Sequence, residues 1–430
     1  MNLEEWRDHS GWMIGMLAIL MAFAAIIRQY HSKRPARFVH LAGIALGLAA
    51  GGPLFIPALP RLITAVRLMI DARAPTDVSG PFPVATADVT LPASSAFDPA
   101  IFVQIWYPAA DKTSPAEPKS TIPRLCSEVL AEQHLASARQ RFPLILYAPA
   151  NGGLRDDNAS TTAELASHGY VVMAIDDIER ASNPQSSAGE IPSPLIFDYS
   201  SKDAFERFIQ SGDRKVRREA EQALAALDRL TTCANANWRA RVRLDQAGFL
   251  GFSFGGAVAA EAASFDQRIV AVANLDGALF DHGAAGALKK PYVILLTKDD
   301  VFPKLRELHS PEPAKHYFAM MNEKELKKEV RLANQPDGFG FRIRNSYHEN
   351  LSDQIFTRRF LRTWLFTNPY RVKAIRDSYL LAFFDTYLRG TPSSLLRQSP
   401  SPFREVEILK GNQSWLVQAV DELLTASTPN

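Results

Sequence analysis

A short glycine-flanked segment, GFSFG at residues 251–255, places a serine where it can act as a nucleophile. It follows an apolar run at 248–250, which we predict to be a strand, and precedes an alanine-rich helix former at 257–263. In such a strand-to-helix turn, Gly251 and Gly255 leave room for a strained serine conformation. The hydroxyl of Ser253 is then exposed near the positive end of the following helix, and the backbone N–H of Phe254 can bind an oxyanion.

A serine hydroxyl needs a neighbouring imidazole to take its proton, and that imidazole needs a carboxylate to orient it. In chains with this turn, the acid and then the base follow the serine. Four histidines do so here: His282, His309, His316 and His348. We predict His348 as the base, because it follows the segment FGFRI at 339–343, which we predict to be the last strand of the sheet.

The acid has three candidates that topology alone does not separate. Asp276 ends the predicted strand 269–275, whereas Asp299 and Asp300 follow the next predicted strand, 292–296. An aspartate just beyond a strand is also an ordinary turn former. At this point Asp276, Asp299 and Asp300 therefore remain alternatives.

The elements that must position these residues are short apolar runs alternating with helical patterns. This alternation predicts an α/β domain with a mainly parallel sheet covered by helices on both faces. The predicted strands are 101–106, 143–147, 170–175, 269–275 and 292–296, and the clearest predicted helices are 161–169 and 215–230.

Composition narrows the classes of function. The chain has 430 residues with 48 basic and 46 acidic side chains, so we expect no nucleic-acid partner. Its two cysteines, Cys126 and Cys233, have no metal-ligand spacing, and we predict two ordinary small buried residues rather than a pair. We expect no metal and no organic cofactor, and the sequence does not indicate an oligomeric state.

The first 72 residues have the sequence pattern of a membrane anchor. Two uncharged runs, 11–27 and 38–60, are long enough to cross a bilayer and flank a basic loop. A cleaved signal peptide fits less well, because acidic residues precede the first run; a buried helix pair is the other alternative. The basic loop predicts a transmembrane hairpin with both ends outside the cytoplasm. Residues 73–430 then form an extracytoplasmic catalytic domain, beginning near the Pro- and Gly-rich segment 75–83.

Several segments resemble the platelet-activating factor acetylhydrolase-like hydrolases: FPLILYAPANGG, LDQAGFLGFSFGGAVAAEAASFDQRIVAVANLDGALF, SYHENLSDQIF and YLLAFFDTYLRG. The resemblance implies an α/β-hydrolase fold with Ser253 as nucleophile, Asp276 as acid and His348 as base. It implies oxyanion donors at the N–H groups of Phe254 and Asn151. The chain departs from that family at Pro149-Ala150, where the family commonly has His-Gly, and in a charged insert at 304–337. We expect that insert to be a surface helix rather than a flap beside the site.

The resemblance implies a serine esterase. The phenylalanines at positions 252, 254 and 280, together with the predicted anchor, favour an apolar or lipid-like acyl ester as substrate. Three alternatives remain: a serine peptidase or amidase, an acyltransferase, and a non-catalytic scaffold tethered to a membrane.

Overall fold

The computed structural model describes residues 77–93, 100–110, 124–127, 135–137, 139–177, 195–280, 288–297, 306–357 and 368–409. The chain divides into two units, Met1–Ala72 and Arg73–Asn430, and all described residues belong to the second. The predicted transmembrane helices at 11–27 and 38–60 lie outside the described residues. Within the part of the chain that is described, no helix combines the length and apolar character that a membrane span requires.

Strands account for the centre of the described unit. They are β1 Val84–Leu91, β2 Ile101–Pro108, β3 Arg124–Leu125, β4 Phe142–Ala148, β5 Val171–Ile175, β6 Val242–Phe252, β7 Ile269–Leu275, β8 Tyr292–Leu296, β9 Gly338–Ile343 and β10 Val406–Ile408. They form one sheet in the order β10-β9-β8-β7-β6-β4-β5-β2-β1-β3. From β5 to β9 every neighbouring pair is parallel, while β2 and β10 join this parallel block antiparallel to it.

Helices cover both faces of this sheet, as the sequence predicts. They are α1 Ala159–Ser167, α2 Lys202–Cys233, α3 Ala236–Arg241, α4 Phe254–Phe265, α5 Pro313–Asn334, α6 Gln354–Thr357 and α7 Pro369–Arg389. Apolar residues of α2, α4 and α5 pack in one core, and those of α1 and α7 pack in the other. The mainly parallel α/β-hydrolase architecture is confirmed.

Strand β4 illustrates why its sequence forms a central strand. All seven residues of FPLILYA are buried. Because successive side chains of a strand point to opposite faces, Leu144 and Leu146 enter one core while Ile145 and Tyr147 enter the other. A strand buried on both faces needs a continuous apolar run. The same rule gave the bounds of β7 and β8 directly from the sequence.

The charged insert contains the 22-residue helix α5. Leu326 and Leu332 are buried on its inner side, whereas its first residues, from Pro313 to Lys315, are exposed. The prediction of a surface helix is confirmed for these residues. Helix α5 belongs to the layer that covers the sheet and is not an added flap.

The prediction that the two cysteines stay apart is wrong. Cys126, just after β3, and Cys233, the last residue of α2, form a disulfide across 107 residues of sequence with their Cα atoms 6.1 Å apart. Their separation in sequence carries no information about this distance, because the crossing of α2 over the sheet brings them together. The disulfide ties the edge of the sheet to the end of its longest described helix.

Candidate active site

The serine lies at the sharp turn that the sequence predicts. Strand β6 ends at Phe252, helix α4 begins at Phe254, and Ser253 between them has φ 55° and ψ −122°. A left-handed φ is rare for a residue with a side chain and indicates a strained position held by its surroundings. A Cβ at Gly251 would collide with the backbone of Gly255, so the turn closes only with glycine there.

The structure joins three of the predicted residues in one chain of hydrogen bonds. The Ser253 Oγ and His348 Nε2 atoms are 2.9 Å apart, and His348 Nδ1 is 2.8 Å from Asp276 Oδ2. The Asp276 side chain is 6% exposed, while that of His348 is 42% exposed. Ser253, Asp276 and His348 follow the ends of β6, β7 and β9, and the carboxyl ends of parallel strands meet at one edge of a sheet.

Asp276 is held by a residue that the sequence analysis did not identify. Thr297, directly after β8, donates its backbone N–H to Asp276 Oδ1 at 3.1 Å and its hydroxyl to Oδ2 at 2.6 Å. Thr297 is 2% exposed, so these hydrogen bonds are shielded from water. Its position after a strand adjacent to the aspartate's own strand was the available signal.

His348 is oriented by packing and by its own loop. Its ring stacks on that of Phe252, with centroids 4.9 Å apart. It begins a 3-10 helix, His348–Leu351, whose preceding residue Tyr347 donates its N–H to the Asn350 side chain at 2.8 Å. The buried Arg376 of α7 donates to the Leu351 carbonyl at 3.1 Å, which ties the end of this helix to the domain.

Of the five competing residues, two are described and three are not. Asp299, Asp300 and His282 lie outside the described residues. His309 ends the 3-10 helix Arg306–His309, and His316 in α5 directs its Nδ1 to the Leu308 carbonyl. The hydrogen bond to the Nδ1 atom of His348 is made by Asp276.

The predicted oxyanion donors lie on two adjacent segments. Phe254 is the first residue of α4, and the first N–H groups of a helix have no acceptor within the helix. Asn151 follows β4, whose last residue Ala148 pairs with Gly251 of β6. A Cβ at Gly255 would strike the backbone of Ala148 and Pro149, so the loop after β4 is in contact with the serine turn.

A series of aromatic ring contacts begins at Phe254, the residue after the serine. Phe254 contacts Phe280 with ring centroids 5.4 Å apart, Phe280 contacts Phe208 at 5.9 Å, and Phe208 contacts Phe197 at 5.1 Å. Phe197 is 54% exposed. The nearby Leu195 is held by the Asn151 side chain, which donates its amide N–H to the Leu195 carbonyl and accepts the Leu195 N–H on its oxygen, each at 3.3 Å. An aromatic path therefore runs from the surface to the residue after the serine.

Among the described residues, no group of three or more histidine, cysteine, aspartate or glutamate side chains is arranged to hold a metal ion. The polar groups that converge at the described site are instead the hydroxyl, imidazole and carboxylate given above. Such a set supports attack by a serine oxygen on a carbonyl carbon.

Comparisons with known proteins agree with this chemistry. Residues 130–314, which include Ser253 and Asp276, match the model of the dienelactone hydrolase family. A solved structure of a ferulic acid esterase from Streptomyces cinnamoneus is 25% identical with a TM-score of 0.52, covering 78% of this chain and 98% of its own. A search of the curated proteins gave no match. From the fold and these two likenesses, the chain is a carboxylic ester hydrolase of the α/β-hydrolase fold.

Proposed function

We propose that the enzyme cleaves carboxylic esters through a triad of Ser253, His348 and Asp276 and an acyl-enzyme intermediate. The observation that carries this proposal is the unbroken hydrogen-bond path from the Ser253 hydroxyl through both nitrogens of His348 to Asp276. Three other features support it: the left-handed backbone of Ser253, its place before α4, and the low exposure of the Asp276 side chain, 6%.

In the first half of the reaction, the Ser253 oxygen attacks the ester carbonyl while His348 Nε2 takes the hydroxyl proton. The imidazolium that forms is stabilised by the Asp276 carboxylate at Nδ1. The tetrahedral oxyanion is bound by the backbone N–H groups of Phe254 and Asn151, each worth about 3–4 kcal/mol in comparable sites. His348 then donates its proton to the leaving alcohol.

In the second half, water enters and His348 removes one of its protons as the oxygen attacks the acyl-serine carbonyl. The same N–H groups hold the second oxyanion, and the proton returns to Ser253 as the acid leaves. The 42% exposure of the His348 side chain is consistent with water reaching Nε2.

For the substrate we propose an ester with an apolar acyl group, aromatic or aliphatic. The rings of Phe254, Phe280, Phe208 and Phe197 support this, because they line the flank of the serine turn. The similar structure from Streptomyces cinnamoneus is an esterase of ferulic acid, an aromatic acid. The narrower resemblance to acetylhydrolases extends the proposal to short acyl chains.

A fluorophosphonate probe tests the nucleophile, because it reacts only with an activated serine. We expect the wild-type protein to be labelled on the peptide that contains Ser253 and the Ser253→Ala variant to remain unlabelled. Ser264→Ala, in the last turn of α4, is the matched control and should label like wild type. Failure of folded wild-type protein to label would contradict the proposal.

A substrate series tests the acyl preference. Hydrolysis of p-nitrophenyl acetate, butyrate and octanoate would be compared with that of methyl ferulate and of a peptide anilide. We expect kcat/KM to be higher for the esters than for the anilide, and Phe197→Ala to lower it mainly for the aromatic or long acyl groups. Preferred cleavage of the anilide would favour the peptidase alternative.

We also propose that residues 1–72 anchor the enzyme to a membrane with the catalytic part outside the cytoplasm. Two observations support this: the uncharged runs with their basic loop, and the disulfide between Cys126 and Cys233, since disulfides persist in oxidising compartments. Fractionation of cells expressing the full chain and a 73–430 variant tests the anchor. Thiol alkylation before and after reduction tests the compartment, and alkylation of both cysteines without reduction would contradict it.

A further inference from the structure

The turn that carries the proposed oxyanion donor Asn151 rests on a buried carboxylate. Asp177, two residues beyond β5, accepts the backbone N–H of Gly152 on its Oδ2 atom at 2.7 Å. Its own N–H donates to the Gly153 carbonyl at 3.3 Å. Asp177 is 1% exposed, so both hydrogen bonds lie away from solvent. Two consecutive residues after Asn151 are thus held by one aspartate.

A second buried group accompanies this carboxylate. Lys215 of α2 is 5% exposed, and its Nζ atom lies 2.9 Å from Asp177 Oδ2 and 3.1 Å from Oδ1. The same Nζ is 5.6 Å from the ring centroid of Phe254, the other proposed donor residue. The cation therefore contacts the aspartate that holds the turn after Asn151 and also lies near the ring of Phe254.

The charge balance of this cluster matters for catalysis. A bare carboxylate below the turn would repel the negative charge that develops on the substrate oxygen, since charges interact strongly in a shielded site. Glu219, 6% exposed, lies with its Oε1 3.4 Å from Lys215 Nζ. Burial, with the nearby charge of Asp177, raises the pKa of Glu219 well above its usual value. The Lys215 ammonium thus pairs with the Asp177 carboxylate, and the raised pKa of Glu219 disfavours a second negative charge beside them.

We propose that Asp177, neutralised by Lys215, is a positioning residue that fixes the 151–153 turn so that the Asn151 N–H faces the oxyanion. This inference rests on the proposed serine-esterase function. Asp177 touches no substrate and acts through the turn. The essential feature of residue 177 is a side-chain oxygen that accepts the Gly152 N–H. Because Lys215 pairs with Asp177, this oxygen can belong to a carboxylate without adding net negative charge near the oxyanion.

Two double variants separate the effect of the hydrogen-bond acceptor at residue 177 from the effect of its charge. Asp177→Asn/Lys215→Met and Asp177→Ala/Lys215→Met both remove the buried ion pair, but only the asparagine keeps an oxygen that can accept the Gly152 N–H. The full chain would be assayed with p-nitrophenyl acetate. Active sites would be counted by fluorophosphonate labelling, and thermal unfolding would be recorded for each variant.

We expect kcat per labelled site to be about 10- to 100-fold higher in the asparagine double variant than in the alanine one, since loss of a single oxyanion donor costs about 10²–10³. KM should be similar in both, because a misplaced donor weakens transition-state binding more than substrate binding. The second-order rate of fluorophosphonate labelling should differ in the same direction, because the phosphonyl oxygen occupies the same position.

Equal kcat per labelled site in the two double variants would overturn the inference, whatever their melting temperatures. If the alanine variant does not fold, Asp177→Ser/Lys215→Met replaces it, since serine keeps a polar group one bond too short for Gly152. Failure of the wild type itself to label or to hydrolyse the ester would instead refute the proposed function. The two failures are therefore distinguishable.

Discussion

Replacing Asp276 with asparagine changes one atom of the proposed triad, and the contacts of Asp276 determine how the amide must be oriented. Asp276 Oδ1 accepts the Thr297 N–H at 3.1 Å, while Oδ2 faces both the Thr297 hydroxyl and His348 Nδ1. An amide must keep its oxygen toward the Thr297 N–H, because an NH2 group there would oppose a donor. The NH2 group is therefore directed at His348 Nδ1 and donates to it.

The consequence is the wrong tautomer of the imidazole. With Nδ1 acting as acceptor, the ring proton moves to Nε2, which lies 2.9 Å from the Ser253 hydroxyl and can no longer take its proton. We expect kcat for p-nitrophenyl acetate to fall about 10⁴-fold, as in comparable triads. At 1.36 kcal/mol for each factor of ten, this is about 5.5 kcal/mol of transition-state stabilisation. KM should change far less.

The assay compares Asp276→Asn with Asp299→Asn and Asp300→Asn, the two alternatives that the sequence left open. We expect the latter two to stay near the wild-type kcat. Melting temperatures control for folding. A loss smaller than about tenfold in Asp276→Asn, combined with a large loss in either of the other variants, would refute the assignment of the acid.

Three further predictions concern the framework. A Cβ at Gly255 would strike the backbone after β4, so Gly255→Ala should abolish ester hydrolysis or folding. Gly390→Ala is the control, because a Cβ there meets open space. It should lower the free energy of unfolding, measured with denaturant, by only about 1 kcal/mol. Cys126→Ser/Cys233→Ser should lower the free energy of unfolding by about 2–5 kcal/mol and make the melting temperature insensitive to reductant; an unchanged melting temperature would contradict the disulfide. Burial raises the pKa of Glu164, but hydrogen bonds from His168 and Ser79 outweigh this effect and lower the pKa to about 2. The ionised Glu164 therefore stabilises the folded state above about pH 4.5, and this stabilisation is lost as the pH falls towards 2. The Glu164→Gln variant should therefore have a lower free energy of unfolding than the wild type at pH 6. Its free energy of unfolding should also fall less steeply between pH 5 and pH 3. Denaturant unfolding at each pH measures this, and an equal pH dependence of the two proteins would contradict it.

Local sequence patterns determined most of the architecture. The bounds of β7 and β8 follow from apolar runs, because a strand buried on both faces requires them. Gly169, predicted to stop α1, has the left-handed φ of 85° that a helix end favours in glycine. The predicted helix at 215–230 is the second half of α2, whose first half begins where the Ser201 side chain caps Ala204. The serine at position 201 was the available sequence signal for the start of this helix.

For the candidate site, the sequence by itself predicted Ser253, because the serine turn depends on glycines and helix formers within a few residues. It also predicted His348, because that histidine follows the last predicted strand. Only the tertiary structure decided that Asp276 meets His348, that Thr297 holds Asp276, and that Asp177 and Lys215 lie beneath the Asn151 turn. The same holds for the bond between Cys126 and Cys233. The physical reason is range: neighbouring residues fix a turn, whereas contacts between residues far apart in the chain depend on how strands are ordered and helices cross the sheet, which no local pattern encodes.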